Sequence, residues 1–286
     1  MAGDDQAAPL ITVVMATYAG DDLAHLEEAV DSILRQTHAN LEFLISLDGP
    51  VRPETRAYLD ALASRDGRVR LLPQSANRGP ARARNAAFRE AHGEYIAVMD
   101  ADDVSAPDRL EKQLYYLRKT DSDLVGSFMK YINADGEAIG KKDMAVTHEG
   151  VRKTAILVNP INNPTAFARA AVFKDNPYDE RFRRGQDYHL WARLIVKGYR
   201  LANVPEYLHS LRTGSTFFAR RSRVYFVVSL RSRLILAGLY PFYLKPFALL
   251  LAVGLSSLRL LPGWCLRAIY WVRNNLRAGG GSGYSM

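Results

Sequence analysis

The feature that most constrains this chain is a regular alternation of short apolar runs and amphipathic segments over its first 120 residues. The apolar runs are typical of buried strands, and the segments between them carry apolar residues at helical spacing. Helical connections join parallel strands, so the pattern predicts an α/β fold with a mostly parallel sheet flanked by helices. The predicted strands are 10–17, 41–47, 69–72 and 95–99, and the predicted helices are 21–36, 53–65, 79–92 and 107–119.

The second half of the chain is less regular. Asp135-Gly136 is a pair typical of hairpin turns, and the residues on either side of it predict two antiparallel strands. Further along the chain, apolar spacing predicts two helices and two more strands. The predicted elements are strands at 123–131, 137–141, 165–170 and 206–212, and helices at 147–157 and 188–197.

Charge is distributed unevenly along the chain. Eleven of the 38 Lys and Arg residues lie after residue 200, whereas only one of the 30 acidic residues, Glu206, does. The excess of positive charge therefore belongs to the C-terminal part, which we expect to meet an acidic partner. The lone Cys265 cannot form an internal disulfide, and the acidic first ten residues lack the features of a signal peptide, so we expect a cytoplasmic protein.

Polar segments follow all four strands predicted in the first half, at 16–22, 48–50, 73–79 and 100–103. In open α/β sheets, ligands bind beyond the carboxyl ends of the strands. Because the carboxyl ends of parallel strands meet at one edge of the sheet, we expect these four segments to lie together and form the functional site.

Asp100 and Asp102 stand two residues apart, directly after the predicted strand 95–99. On an extended segment their side chains would point the same way and converge on one ligand. Carboxylate oxygens suit Mg²⁺ or Mn²⁺, which proteins bind through one or two carboxylates together with substrate phosphates. The alternative interpretation is a solvated acidic turn before the helix that begins at Pro107.

Asn77-Arg78-Gly79 and Ala83-Arg84-Asn85 flank the start of the third predicted helix. A glycine at a helix N-terminus lets backbone amides approach a phosphate, and an arginine adds charge-assisted hydrogen bonds. The sequence therefore predicts a phosphate-binding segment here. Alternatively, the arginines of this helix are simply solvated.

The motifs occur in a recognisable order: Val14 to Tyr18, Asp48-Gly49, Asn77 to Asn85, and Asp100 to Asp103. This order resembles that of the family 2 glycosyltransferases, and Asn163-Pro164 and the segment 186–191 resemble that family's acceptor-side segments. The resemblance covers residues 10–212. It implies a GT-A fold, which is Rossmann-like, and an inverting transfer of a sugar from a nucleotide-sugar donor with Mn²⁺ or Mg²⁺ as cofactor.

The resemblance also implies roles on the donor side. Thr17 and Tyr18 would lie beside the nucleotide base, and Asp48 would accept a hydrogen bond from the imide N–H of uracil or thymine. A UDP-sugar is therefore the favoured donor. The remaining donor-side roles would fall to Asn77, Arg84, Asp100 and Arg212, which would contact the donor, and to Asp102 and His209, which would bind the metal.

On the acceptor side, Asp187 matches the family's catalytic base, and Asn163, Gln186 and Trp191 would contact the acceptor. A carboxylate within hydrogen-bond reach of an acceptor hydroxyl takes its proton during attack on the anomeric carbon. Gln186 departs from the family pattern, which often has Glu there, and this affects the acceptor details. Without the resemblance, Asp187 would be interpreted as the N-cap of the helix that follows it.

Residues 220–277 combine arginines with apolar runs that are too short to span a bilayer and with aromatic side chains favoured at headgroup depth. Amphipathic helices lying on an anionic membrane fit this composition, which would bring the protein to the inner face of the cell membrane as a peripheral component. A terminal helical pair packed on the domain, a homo-oligomer surface, and a re-entrant or spanning hairpin are the alternatives.

These patterns divide the chain into segments. Residues 1–9 form a flexible N-terminus, and 10–215 a catalytic domain with a nucleotide-sugar part (10–103) and an acceptor part (104–215). Residues 216–278 form a basic, apolar, helical membrane-association region, and 279–286 a flexible tail or linker. The expected acceptor is a glycan or a polyprenyl-linked glycan.

Two other functions are compatible with parts of the sequence. One is a catalytically silent subunit that binds sugar nucleotides or glycans in a polysaccharide assembly complex, although such a subunit would not need both Asp102 and Asp187. The other is nucleic-acid binding by the basic tail, which is disfavoured because the tail is apolar and carries no recognisable nucleic-acid module. Processive synthases usually add a Gln-x-x-Arg-Trp segment that this chain lacks, so transfer of one sugar per encounter is expected.

Overall fold

A computed structural model describes residues 8–213 and 223–257. Within these residues the chain forms one nine-stranded sheet and nine α-helices. The strands are β1 (Ile11–Thr17), β2 (Leu41–Leu47), β3 (Val69–Pro73), β4 (Tyr95–Asp100), β5 (Val104–Ser105), β6 (Leu124–Ile132), β7 (Ala138–Lys142), β8 (Phe167–Arg169) and β9 (Leu201–Arg212). The helices are α1 (Leu23–Leu34), α2 (Pro53–Arg65), α3 (Pro80–Glu90), α4 (Arg109–Lys119), α5 (His148–Thr154), α6 (Ala170–Asp175), α7 (Gln186–Val196), α8 (Arg223–Ala237) and α9 (Lys245–Ser257).

The first half of the sheet is parallel, in the order β3-β2-β1-β4, as the alternating pattern predicts. All seven residues of β2 are buried, because helices cover both faces of the sheet. Asp22 caps α1 by accepting hydrogen bonds from the backbone N–H groups of Ala24 and His25. The parallel core and its flanking helices confirm the predicted fold class.

The second half of the sheet is mixed. Strand β8 pairs antiparallel with β4 and β6, whereas β9 runs parallel to β6 and antiparallel to β5. Strands β6 and β7 form the predicted hairpin. Strand β9 begins at Leu201, so the predicted start at 206 is wrong. Pro205 interrupts the strand pattern, but it lies at an irregularity where the register between β6 and β9 shifts, and there a missing N–H does not break the ladder.

The C-terminal helices pack on the sheet domain through α7. Leu236, Ala237 and Ala248 belong to the same buried apolar cluster as Trp191 and Leu194 of α7. This packing agrees with the alternative interpretation of a terminal helical pair that rests on the domain.

Among the described residues, no helix combines the length and apolar character needed to cross a membrane. Residues 1–7, 214–222 and 258–286 lie outside the described part. The predictions for the tip of the N-terminus, for Arg220 and Arg221, for Cys265 and for residues 279–286 therefore concern undescribed residues.

Candidate active site

The first part of the site is built where β1 and β2 end. The Thr17 hydroxyl donates to Asp21 Oδ2 at 2.9 Å, and the Tyr18 N–H donates to the same oxygen at 3.1 Å. Tyr18 itself is exposed at the edge of the sheet. These two hydrogen bonds fix the turn after β1 and leave the Tyr18 ring accessible to a ligand.

Asp48 follows β2 and is buried. Its two carboxylate oxygens accept the backbone N–H groups of Arg78 at 2.8 Å and Gly79 at 2.9 Å. Gly79 has φ +97°, a conformation that favours glycine, and it precedes the first residue of α3. Asp48 therefore holds the loop that contains the exposed Asn77 against the start of α3.

Arg84 lies on α3 with only 7% of its side chain exposed, and its guanidinium donates to Asp100 Oδ1 at 2.5 Å. Its Nε has no hydrogen-bond partner among the described residues. Burial alone would lower the pKa of Arg84, but the charge of Asp100, with further contributions from Tyr178, Asp187 and the hydrogen bond to Asp100, outweighs burial and raises the pKa. Arg84 therefore stays charged, and its positive charge is held beside Asp100.

Ala101 and Asp102 form a turn after β4, so the extended segment expected for this motif is wrong. The turn nevertheless gathers carboxylates. Burial, together with the charges of Asp103, Asp100 and Asp21, raises the pKa of Asp102 to about 7. This excess of negative charge is an environment that favours a bound cation.

The part of the chain that the structure describes contains no group of three or more His, Cys, Asp or Glu side chains arranged to hold a metal. Asp100 and Asp102 alone match the sites that Mg²⁺ uses with substrate phosphates, in which one or two carboxylates share the ion with the ligand. These two carboxylates fit such a cation on condition that a diphosphate supplies further oxygens.

His209 lies in the interior and is not exposed. Its Nε2 is 2.7 Å from Asp103 Oδ2, and its Nδ1 is 3.5 Å from the guanidinium of Arg109. Burial, followed by the charge of Arg109, lowers the pKa of His209 to about 3, so the ring is neutral. Both ring nitrogens thus face protein groups, and we leave His209 out of the metal-ligand set.

Arg212 is also buried, and its backbone N–H donates to Asp103 Oδ1 at 2.8 Å. Its guanidinium donates to the carbonyl oxygens of Asp102 at 2.9 Å and Ala134 at 2.8 Å, and it also contacts the carboxylate of Glu28. Arg212 therefore braces the turn that carries Asp102, and its predicted contact with the donor stays a prediction.

Asp187 lies in the first turn of α7, whose N-cap is Gly185, so its interpretation as the N-cap is wrong. Its Oδ2 accepts a hydrogen bond from Asn159 Nδ2 at 2.7 Å. Burial raises the pKa of Asp187, although the N–H of Tyr188, the amide of Asn159 and the charge of Arg84 each act to lower it. An aspartate with a raised pKa in a cleft is suited to accept a proton.

Arg84 connects the two halves of the site. It bonds to Asp100 directly, and its charge also acts on Asp187. Asp100 in turn acts on Asp102. The carboxylates after β4 and the carboxylate on α7 are therefore electrostatic neighbours around one buried arginine.

The predicted acceptor residues are placed differently from one another. The side-chain oxygen of Asn163 accepts the Tyr178 hydroxyl at 2.7 Å, and Gln186 is buried with an Oε1 that lacks a partner among the described residues. Trp191 is fully buried in the core, and its indole N–H donates to the Ile161 carbonyl at 3.1 Å. A side chain without exposed surface cannot contact an acceptor, so Trp191 stabilises the core beneath the site.

Carboxylates and a buried arginine gathered beyond the ends of parallel strands define a class of α/β enzyme that binds phosphorylated ligands. Residues 12–182 match the sequence model of the glycosyl transferase family 2. The chain is 32% identical to an uncharacterized glycosyltransferase of Methanocaldococcus jannaschii over 71% of each chain. It is also 32% identical to the O-antigen biosynthesis glycosyltransferase WbnJ of Escherichia coli, over 65% of this chain and 72% of that one. The chain belongs to glycosyltransferase family 2.

Solved structures are similar in fold. TarS of Staphylococcus aureus in complex with UDP has a TM-score of 0.61 at 18% identity, covering 80% of this chain and 70% of that one. The mannosyltransferase PcManGT of Pyrobaculum calidifontis, in complex with GDP-Man and Mn²⁺, has a TM-score of 0.59 at 19% identity, covering 95% and 82%. The fold is that of the GT-A glycosyltransferases.

Proposed function

We propose that this glycosyltransferase is inverting and metal-dependent, and that it moves one sugar from a nucleotide-sugar, with UDP-sugars favoured, to a hydroxyl of a glycan. The arrangement of charges around Arg84 is the observation that carries the proposal. One buried guanidinium hydrogen-bonds to Asp100 at the end of β4, and it interacts electrostatically with Asp187 in the first turn of α7. An anomeric centre between them would have a leaving-group side and an attacking side.

On the donor side, Thr17, Tyr18 and Asp48 would surround the base. Asp48 already accepts two backbone N–H groups, and a carboxylate has further lone pairs for the imide N–H of uracil. The complex of TarS with UDP supports a uridine nucleotide, because that enzyme shares this fold. Asn77, which is exposed on the loop held by Asp48, would contact the nucleotide from the other side.

The diphosphate would lie between Arg84 and the turn at Asp102. Asp100 and Asp102 would hold Mn²⁺ or Mg²⁺, and a divalent cation bound there supplies positive charge that stabilises the departing diphosphate. The complex of PcManGT with Mn²⁺ supports this assignment. Arg84 contributes a second positive charge that is already in place before the reaction, so no rearrangement is needed when the leaving group separates.

On the opposite side, Asp187 would accept the proton of the attacking hydroxyl. The hydroxyl oxygen forms a bond to the anomeric carbon while the bond from that carbon to the diphosphate oxygen breaks, and its electron pair leaves with the nucleotide diphosphate. A single displacement of this kind inverts the anomeric configuration. Asn159 would orient Asp187 through its 2.7 Å hydrogen bond.

The test is Asp187→Asn, which keeps the size of the side chain and removes the base. We expect transfer to fall by a factor of about 10² to 10⁴, the usual contribution of a general base. The dissociation constant of UDP, measured by calorimetry with Mn²⁺, should change by less than about twofold. Donor screening across UDP-, dTDP- and GDP-sugars identifies the substrate for the assay.

Asp60→Asn is the matched control, because Asp60 is an exposed carboxylate of α2 whose ion-pair partner among the described residues is Arg56. It should leave both transfer and UDP binding unchanged. Transfer by Asp187→Asn at the wild-type rate would remove Asp187 from the role of base. A catalytically silent subunit would show no transfer with any donor, and family membership favours the enzyme over that alternative.

We further propose that the acceptor is carried on a lipid, as part of polysaccharide biosynthesis, at the cytoplasmic face of the membrane. The O-antigen biosynthesis relative supports the pathway class. Support for the membrane comes from the segment 242–253, where Phe242 is 88% exposed, Phe247 67% and Leu250 74%. Since residues 223–257 contain no Asp or Glu, this apolar surface carries net positive charge.

A further inference from the structure

A cavity of about 180 Å³ lies directly beside Asp187, between α7 and the C-terminal helix α8. Asn159, Gly185 and Asp187 form one wall. Helix α8 forms the other wall through Tyr225, Val228 and Ser229. A helix that follows the family-matched region, which ends at residue 182, thus borders the same space as the proposed base.

Helix α8 is held close to the start of α7. Gly185 has φ +73°, and a Cβ atom at this position would lie only 3.2 Å from a Val228 methyl carbon. The backbone of α7 can therefore approach α8 because residue 185 has no side chain. Two residues further along, α7 carries Asp187, so the position of α8 bears directly on the wall of the cavity at the carboxylate.

A buried arginine fixes α8 in this position. Arg233 donates to the carbonyl oxygens of Ile156 at 2.8 Å and Leu157 at 3.1 Å, and it lies over the ring of Tyr188 at 5.4 Å from the centroid. The segment it binds leads to Asn159, which donates to Asp187. Arg233 thus ties α8 both to the segment that orients Asp187 and to α7.

The chemistry of the cavity suits one sugar ring. Asp187 offers a carboxylate acceptor for a hydroxyl group, and Asn159 holds this carboxylate in place by donating to its Oδ2. The partly exposed Tyr225 ring offers an apolar wall for the C–H face of a sugar, and Val228 lines the cavity as a buried residue that is 1% exposed. Pockets for larger ligands measure roughly 300 to 1,000 Å³, so this smaller cavity has room for only a part of an acceptor.

We propose that α8 forms one wall of the acceptor site, that Tyr225 contacts the acceptor sugar, and that the buried Val228 limits the space available to it. The inference rests on the proposed function, since it assigns the hydroxyl-bearing ring in the cavity to the acceptor. Helix α8, which belongs to the C-terminal region, is then part of the active site. Membrane attachment is a separate property of the exposed apolar segment 242–253.

The decisive variant is Val228→Phe, whose larger side chain fills the cavity. The matched control is Val227→Phe, because Val227 is the neighbouring residue of α8 and is exposed. The probes are methyl glycosides of glucose, galactose and N-acetylglucosamine, whose binding is followed by saturation-transfer NMR with UDP and Mn²⁺ present. Calorimetry with UDP reports separately on the donor side.

We expect the wild type and Val227→Phe to bind at least one glycoside with the same affinity, and Val228→Phe to bind it at least tenfold more weakly. UDP affinity should stay within twofold in all three proteins. Tyr225→Ala, which removes volume rather than adding it, serves if Val228→Phe fails to fold, and it should also weaken glycoside binding tenfold.

Undiminished glycoside binding by Val228→Phe, or by Tyr225→Ala if that variant serves, overturns the inference, as does a wild-type protein that binds no member of the panel. A third result separates the two proposals. If the wild type binds a glycoside and Val228→Phe does not, but neither protein binds UDP or another nucleotide, the proposed function is overturned while the assignment of α8 as a wall of the sugar site is supported.

Discussion

Arg233→Met should destabilise the whole domain, although Arg233 belongs to a basic segment that the sequence assigns to a membrane surface. In the structure this side chain is buried and binds two backbone carbonyl oxygens, those of Ile156 and Leu157. It also donates to the hydroxyl of Ser229 on its own helix. Methionine keeps most of the aliphatic length but donates no hydrogen bond.

The magnitude follows from the groups that lose their partner. A hydrogen bond from a charged donor contributes about 1.5 to 3 kcal/mol, and leaving a buried carbonyl without a donor costs about 1 to 3 kcal/mol. The Ile156 carbonyl is buried, whereas Leu157 is 46% exposed, so water can replace Arg233 at the Leu157 carbonyl. The contributions describe the same contacts and are not additive, so the loss is about 2 to 3 kcal/mol. With a urea m-value of about 3 kcal/mol/M, the midpoint would fall by about 0.7 to 1 M.

Urea unfolding followed by tryptophan fluorescence measures this change, since Trp191 lies in the core next to α8. Arg231→Met is the matched control: Arg231 is exposed on the same helix and contacts only the Phe182 ring, at 5.5 Å, in the described surroundings. It should cost less than about 1 kcal/mol. Equal midpoints for Arg233→Met and the wild type would refute the claim that α8 is part of the folded domain.

Two further substitutions test the surroundings of Asp187. Gly185→Ala should lower the free energy of unfolding, measured by urea titration, by more than Gly198→Ala does. Both glycines have positive φ, which costs an alanine about 1 to 2 kcal/mol, but of the two only an alanine at 185 would also press on Val228. Equal losses of stability would argue against close packing of α8. Asn159→Ala should move the acid limb of the pH–kcat profile to higher pH. The hydrogen bond from Asn159 lowers the pKa of Asp187, so its loss raises that pKa, and activity is lost as the base becomes protonated. An acid limb at the wild-type pH would show that Asp187 does not govern it.

The donor side of the site was accessible from the sequence. Alternation of apolar runs and helices predicts parallel strands, and the carboxyl ends of parallel strands meet at one edge. Asp48 follows β2 and Asp100 ends β4, so the order of elements was sufficient to place both carboxylates near the start of α3, where they meet the Gly79 N–H and Arg84. The predicted first and last residues of β2 and α2 also agree with those in the structure.

The acceptor side was less accessible, because its contacts join distant parts of the chain. Asn159 lies in a segment without periodicity, and nothing in its sequence neighbourhood indicates that it bonds to Asp187. Arg233 binds backbone carbonyl oxygens, which every residue possesses, so no pattern of side chains reveals its partners. A run of arginines indicates an acidic partner only on average, and a single member of the run can be buried.

Trp191 shows how a motif can mislead. Its position resembles a segment of the family's acceptor side, but Leu190 and Leu194 share its helix and all three are fully buried. The apolar spacing of α7 was sufficient to predict this burial. The burial of His209 with Asp103, by contrast, does not follow from alternation along β9, because the adjacent Leu208 is also buried and Tyr207 and Leu211 are only partly buried.

Membrane attachment is best tested by substitution within α9, because truncation before α8 would remove Leu236 and Arg233 from the folded domain. Phe247 and Leu250 are exposed on α9, and full burial of such side chains contributes about 1.5 to 3 kcal/mol each. Phe247→Ser with Leu250→Ser should therefore weaken sedimentation with vesicles containing phosphatidylglycerol at least tenfold, since about 1.4 kcal/mol is a factor of ten. Ile139→Ser, at an exposed apolar residue of β7, is the control and should bind like the wild type. Unchanged sedimentation of the double variant, with UDP binding intact in all three proteins, would show that this apolar surface does not enter the bilayer.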